Sequence, residues 1–333
     1  MKIVLLTEGN NHLGLGHVVR CISIYQAFEV EGYKPKMFVF GDKKTEKVLS
    51  KFKYKLVDWI DKPKVINNCI KGADIVVVDS MLATNKTYDF VSKHINVPIY
   101  LDDSHRLDYK KGLIINRTIG ASKFKYNKQN KIIHLLGTRY LPLTKSFWYS
   151  PILEINKEIN TILITFGGSD PKEMTLEIVN HISKYFPKLK QNIIVGKSFN
   201  RVGEIKKVMS AKRKVHIYPS GEKMKELMLD SDLAISAGGQ TLYELARLGV
   251  PTVAVGVVDN QKHNLKGLEK EGFIEHAGFC DDKNLWKNIN RSIKVLKSQR
   301  ARTKRNLIGR NLVDGYGSVR IANFALGLIN SLD

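Results

Sequence analysis

"MKIVLLTEGNNHLGLGHVVR", Met1 to Arg20, sets the architecture. A short apolar run, "KIVLLT", ends in polar turn residues. A glycine-bearing loop follows, and then Val18, Cys21, Ile22, Tyr25 and Phe28 recur at three- and four-residue spacing. That is a buried strand passing through a loop into an amphipathic helix. The same alternation continues along the chain. "KPKMFVFG", "ADIVVVDS", "VPIYLDD" and "GLIIN" read as strands in the first half, and "KEINTILITFGG", "LKQNIIVG", "RKVHIYPS", "SDLAISAGG" and "VPTVAVGV" in the second. Near-continuous apolar strands separated by helices imply parallel sheets covered on both faces, so the fold class is α/β, with two Rossmann-like domains facing a cleft. The expected division is 1–150, 151–315 and a terminal helix over 316–333. Ligands of such sheets bind beyond the carboxyl ends of the strands, so the loops there are the places to look for chemistry.

Composition narrows the classes. The 333 residues suffice for about two domains. The longest apolar runs, "DIVVVDS" and "TVAVGVV", are strand-length, well short of the ~20 residues of a membrane helix. The amino terminus shows no signal-peptide pattern. Cys21, Cys69 and Cys280 are scattered and odd in number, which fits neither a disulfide framework nor a metal knuckle. The expectation is a soluble cytoplasmic protein without metal or cofactor. The net charge of +22 raises nucleic acid, anionic membrane or anionic substrate as partners. The densest basic stretch, Lys283 to Arg310, contains no acidic residue, but Leu285, Trp286, Ile289, Ile293 and Leu296 recur at helical spacing. It reads as a surface helix with a solvated basic face. No zinc-ligand spacing, RNA-binding aromatic signature or basic heptad region supports nucleic acid, leaving peripheral contact with an anionic membrane as the alternative.

Five loops carry unusual residues. In "SAGGQTLYE", Ser236 to Glu244, Gly238 and Gly239 allow close backbone approach and a helix begins near Thr241, whose free N–H groups attract phosphate. Thr241 could cap the helix or donate to phosphate, and Glu244 could accept from ribose hydroxyls. In "VDNQKHN", Asn260 and Gln261 offer donors and acceptors suited to a diphosphate and a sugar. "FGGSDP" places Gly168 and Ser169 between strand and helix, with Ser169 or Asp170 as cap and Pro171 at the first helical position. "YLDDSHR" puts Asp102 and Asp103 at a strand end, able to bind hydroxyls, hold a base or cap a helix; Asp79 ends a nearby strand. In "GLGHVVR", Gly14 and Gly16 are followed by Val19 where a dinucleotide fingerprint needs glycine, so nicotinamide binding is disfavoured. His17 stands instead at the helix start, where the dipole keeps an imidazole neutral and basic. Arg20, a turn later, reaches the cleft or pairs with an acid.

Together "GLGHVVR", "LDDS", "FGGSDP", "SAGGQTLYEL", "DNQKHN" and "VDGYGSVRIANF" resemble the glycosyltransferase-B-type sugar-nucleotide enzymes. More closely, they resemble the family of the pseudaminic-acid pathway nucleotidase and the spore-coat polysaccharide proteins. The first and fourth pieces are also similar to those of the lipid II-forming peptidoglycan glycosyltransferase. The resemblance implies a UDP-activated amino sugar as substrate and His17 as general base. It implies that Gly14 and Gly16 admit the sugar diphosphate and that Gly238, Gly239 and Thr241 face that diphosphate. Glu244 would face the ribose, and Asn260 and Gln261 the phosphates and sugar. Asp79 or Asp103 would orient His17 or bind a hydroxyl. The expected reaction is metal-independent, inverting hydrolysis of a UDP-linked diacetamido-trideoxy hexose by water activated at His17. The alternative is an inverting UDP-sugar glycosyltransferase, in which an acceptor hydroxyl replaces water.

Overall fold

The first half of the chain builds one parallel sheet whose central strands are buried on both faces. The computed structural model describes residues 1–10, 13–126 and 131–331. Its first unit comprises Met1–Lys145 and Gly315–Asp333, and its second Ser146–Asp314. In the first unit β1 (Ile3–Gly9), α1 (Gly16–Val30), β2 (Lys36–Gly41), α2 (Lys43–Leu49), β3 (Tyr54–Leu56), α3 (Pro63–Ile70), β4 (Ile75–Asp79), α4 (Asn85–His94), β5 (Val97–Leu101), β6 (Gly112–Asn116) and β7 (Ile132–Leu136) alternate. The seven strands are parallel, in the order β3-β2-β1-β4-β5-β6-β7. Every residue of β1, β4 and β5 is buried, which is why these segments read as unbroken apolar runs.

The second unit repeats the plan with β8 (Thr161–Thr165), α5 (Met174–Tyr185), β9 (Lys190–Val195), α6 (Val202–Lys207), β10 (Arg213–Ile217), α7 (Gly221–Leu229), β11 (Leu233–Ala237), α8 (Thr241–Leu248), β12 (Thr252–Gly256), α9 (Lys262–Lys270), β13 (Ile274–Phe279), α10 (Leu285–Leu296) and α11 (Gln299–Leu312). Its sheet runs β10-β9-β8-β11-β12-β13, again parallel. In each sheet the chain steps outward from the first strand and then returns to its other side. The order therefore reverses between β1 and β4 and between β8 and β11, the switch points beyond which doubly wound sheets hold ligands.

The last helix, α12 (Gly317–Asn330), belongs to the first unit and packs on α1. Gly317 is required there, since a Cβ would meet the Leu141 carbonyl oxygen at 2.1 Å. Ser318 Oγ then donates to the Leu143 carbonyl at 3.1 Å, fixing the helix start. Three strands were not expected: β3, β7 and β13. Each lies at a sheet edge with part of its surface open, so none carries a continuous apolar run. The basic stretch is two helices instead of one, because Ser298 accepts from Ala301 N at 3.3 Å and starts α11. Its Arg302 is fully buried, giving hydrogen bonds to the carbonyls of Leu296, Lys297, Asn156 and Lys157. That arginine serves packing, not a solvated face.

Candidate active site

At the switch point of the first sheet, the β1–α1 loop and the end of β4 bring together a histidine, two arginines and two aspartates. Gly14 adopts φ +74°, a left-handed conformation that glycine alone takes without strain, and its N–H closes the loop onto the Asn10 carbonyl at 2.9 Å. Gly16 opens α1 and His17 occupies its first turn. His17 Nδ1 lies 2.6 Å from Oδ1 of Asp79, the last residue of β4. Arg20, one turn along, binds the same carboxylate through two nitrogens, Nε to Oδ2 at 2.7 Å and Nη2 to Oδ1 at 2.7 Å. Its other terminal nitrogen faces Asp103 Oδ2 at 3.8 Å, and Arg117 closes on that oxygen at 2.9 Å.

This arrangement sets the protonation state. Asp79 is 1% exposed, and burial alone would favour the neutral acid; the Arg20 charge, with hydrogen bonds from Arg20 and His17, outweighs it and holds the carboxyl well below the usual carboxylate range. An ionised carboxylate only accepts hydrogen bonds, so the 2.6 Å contact requires the proton on Nδ1. The guanidinium nitrogen 2.7 Å from Nδ1 likewise only donates, and both are served by Asp79 Oδ1. Nε2 of His17 is thereby the imidazole nitrogen with a free lone pair.

Three participants escaped the sequence reading, Arg117 on Asp103 being one. Glu8, fully buried near the end of β1, accepts from Ser80 Oγ, from Met81 N at 2.7 Å and from Leu82 N at 3.2 Å. Arg106 grips the same loop from its carbonyl side, donating to Ser80, Met81 and Ala83. The signal was present in "IVLLTEG": an acid inside a wholly buried strand needs a reason to be there. Asp102 turns out to organise its own turn, accepting from Ser104 N, Arg106 N and the Tyr109 hydroxyl. Asp103 alone of that pair joins the His17 cluster.

In the second unit the glycine-bearing and Asn-Gln loops flank β8, β11 and β12. Gly238 is packed so tightly that a Cβ would meet Gln261 Cβ and Leu265 Cγ at 2.9 Å each, whereas at Gly239 it would meet nothing within 4 Å. Gly239 therefore presents open backbone at the start of α8, where Thr241 is the first helical residue and Gln240 precedes it without a side-chain cap. Gln261 braces this loop: its Oε1 accepts from Val257 N at 2.9 Å and Gly238 N at 3.3 Å, and Asn264 donates to the Gly238 carbonyl at 2.7 Å. Asn260 is exposed beside it. Burial pushes the Glu244 carboxyl up to about 7, with no counter-charge to lower it. Gly168 and Ser169 lie in the β8–α5 loop, where Asp170 accepts from Met174 N and Thr175 N; α5 starts only at Met174, so Pro171 sits in the turn before it. Among the described residues no group of three or more His, Cys, Asp or Glu side chains could hold a metal ion, and no helix is long and apolar enough to cross a membrane.

Known proteins resemble the chain in its second unit and along most of its length. Residues 161–306 match the glycosyltransferase family 28 C-terminal domain. The spore coat polysaccharide biosynthesis protein SpsG of Bacillus subtilis is 23% identical over 96% of this chain and 96% of its own length. An uncharacterized protein of Methanocaldococcus jannaschii is 29% identical over 77% of this chain and 55% of its own. The Helicobacter pylori pseudaminic acid cytidylyltransferase and UDP-2,4-diacetamido-2,4,6-trideoxy-beta-L-altropyranose hydrolase is 25% identical over 90% of this chain and 52% of its own. The chain thus spans about half the length of the last two relatives. Among solved structures, MurG of Acinetobacter baumannii superposes with TM-score 0.69 at 13% identity, covering 98% of this chain and 100% of the other. A glycosyltransferase from Rickettsia africae gives 0.62 at 15%, covering 98% and 99%. The calicheamicin glycosyltransferase CalG4 gives 0.68 at 11%, covering 99% and 98%.

The two parallel-sheet units define a glycosyltransferase-B fold. MurG shares that fold, the second unit matches the glycosyltransferase family 28 C-terminal domain, and the chain is similar in sequence to the spore-coat polysaccharide protein SpsG. The expectation of a UDP-sugar hydrolase is corrected by these matches: the domain model is that of a glycosyltransferase, and the solved structures sharing the fold include named sugar transferases. The physical reason is that the motifs read as hydrolytic are shared by both reactions, so they could not choose between water and an acceptor hydroxyl. A histidine with a free Nε2 and the open start of a helix would serve an attacking alcohol as well as water.

Proposed function

We propose that the chain transfers a sugar from a UDP-activated amino sugar to an acceptor hydroxyl, with inversion at the anomeric carbon. The observation that carries this reading is the Asp79–His17 pair at the first switch point. Asp79 fixes the proton on Nδ1, so Nε2 takes the acceptor proton as the hydroxyl oxygen attacks the carbon from the face opposite the diphosphate. The C–O bond to the phosphate breaks and UDP leaves. Gly14 and Gly16 keep the approach to His17 free of side chains. In the second unit Gly239 and the first turn of α8, with Thr241, meet the diphosphate charge, while Gly238 holds that loop in place. Glu244 accepts from the ribose hydroxyls, Asn260 and Gln261 hold the phosphates and sugar, and Gly168 and Ser169 line the same substrate. Similarity to SpsG over the full length supports surface-polysaccharide synthesis as the setting, and nucleotide-sugar chemistry supports the cytoplasm as the place.

The test is UDP release from a panel of UDP-amino sugars with and without polysaccharide fragments as acceptors, followed by NMR of the product. Release that depends on acceptor, with an inverted anomeric linkage, is expected. Release that is equal without acceptor, or a retained configuration, overturns the reading. His17→Asn should lower turnover by about 10²–10⁴-fold.

A further inference from the structure

Beyond the His17 cluster, the first unit carries an aromatic group that the mechanism does not use. His105, Phe124 and Tyr126 are all partly exposed beyond the carboxyl ends of β5 and β6. The Tyr126 ring is covered by His105 at 4.7 Å between centroids and by His134 at 4.5 Å, so it acts as a pivot. His105 and Phe124 meet at 87° with centroids 6.3 Å apart, forming a right-angled aromatic corner.

The corner is built, not incidental. His105 holds φ +52°, an uncommon left-handed conformation for a residue with a side chain. It is kept there because Asp102 accepts from Ser104 N at 3.1 Å on one side and Arg106 N at 2.8 Å on the other. The Tyr126 hydroxyl is fixed by Asn116, whose Nδ2 also donates to the Asp103 carbonyl at 3.2 Å. Asp103 faces Arg20, which binds Asp79, so the corner is tied to the element that orients His17.

We infer that this corner is the acceptor subsite and that it takes a pyranose ring. The inference rests on the sugar-transfer reading and adds the acceptor class to it. A pyranose presents one face of C–H groups, which the negative face of an aromatic ring attracts, and a rim of hydroxyls. A flat ring with a second ring at right angles to it fits that face and one edge. The imidazole nitrogens of His105 can exchange hydrogen bonds with the rim hydroxyls. A purely lipid or peptide acceptor has no comparable use for two perpendicular rings carrying polar nitrogens.

The test separates this from the parent reading by measuring binding, not turnover. Saturation-transfer NMR is run on the wild-type chain with methyl glycosides of N-acetylglucosamine, glucose, galactose and rhamnose, with and without saturating UDP. Calorimetry of UDP on the same samples reports the nucleotide site and the fold. Saturation of the C–H protons of at least one glycoside, undiminished by UDP, is expected, falling at least fivefold in His105→Ala and Phe124→Leu while UDP affinity stays as in wild type. No saturation of any glycoside, or equal saturation in both variants, overturns the subsite. Absence of UDP binding by the wild type would instead count against the sugar-transfer reading.

Discussion

Replacing Asp79 by asparagine changes one atom at the centre of the cluster and removes the property that the geometry assigns to it. The side chain keeps its size, but its oxygen no longer carries charge and its amide nitrogen is a donor. His17 Nδ1 then has no carboxylate 2.6 Å away, and the tautomer with the proton on Nε2 becomes competitive. A base whose lone pair faces the wrong way loses the contribution of general base catalysis, about 10²–10⁴-fold in turnover. Stability falls too. Arg20 is 13% exposed and, among the described residues, would keep Asp103, 3.8 Å away, as its anionic partner, so breaking this buried pair should cost about 3–5 kcal/mol. The pH dependence has a definite sign. The folded Asp79 lies below the unfolded value of about 3.9, so the contribution is complete above that value and is lost as pH falls toward the folded one. Denaturant titrations at pH 7 and pH 3 should therefore show the wild-type advantage over Asp79→Asn shrinking in acid. The kinetic assay is acceptor-dependent UDP release at saturating donor. A folded variant with wild-type turnover would refute the assignment of Asp79 as the residue that positions His17.

Two further expectations concern the second unit. Because burial raises Glu244 to about 7, the affinity for UDP-N-acetylglucosamine should increase from pH 6 to pH 8 as the carboxylate forms to accept from the ribose, and Glu244→Gln should flatten that profile in calorimetry. Gly239→Ala has room for its methyl group within the protein and should keep the wild-type melting temperature while binding UDP at least tenfold more weakly; Gly238→Ala collides with Gln261 and Leu265 and should lose about 1–3 kcal/mol of stability. Equal UDP affinity in Gly239→Ala and wild type would remove that backbone from the diphosphate site.

The fold was legible because its signals are local. The buried strands β1, β4, β5, β8, β11 and β12 are short apolar runs followed by polar loops, and the paired glycines at Gly238 and Gly239 mark a strand-to-helix turn whatever lies around them. The edge strands were not, since β3, β7 and β13 have half-open surfaces and mixed residues. Position along the chain also hid the partnerships. Arg20 and Asp79 are separated by 59 residues and meet only because β4 returns beside β1. Arg117, which closes on Asp103, gives no sign of that in "IINRT".

The choice of reaction was hidden for a different reason. In the proposed mechanism the base and the phosphate cradle are the same whether the attacking oxygen belongs to water or to a sugar, because either would deliver an O–H to Nε2 of His17. What differs is the surface that holds the rest of the nucleophile, and water needs none. A hydrolytic site can leave the approach to its base bare, whereas a transferase must organise it. Here Glu8 and Arg106 hold the loop after Asp79 from both sides, and Asp102 holds His105 in a left-handed turn beside Asp103. Holding these loops costs buried charge and backbone strain. The burden of distinguishing the reactions thus falls on His105 and Phe124: if they bind a sugar ring, the base has an acceptor to deprotonate, and the ordered loops around it have a function that hydrolysis does not supply.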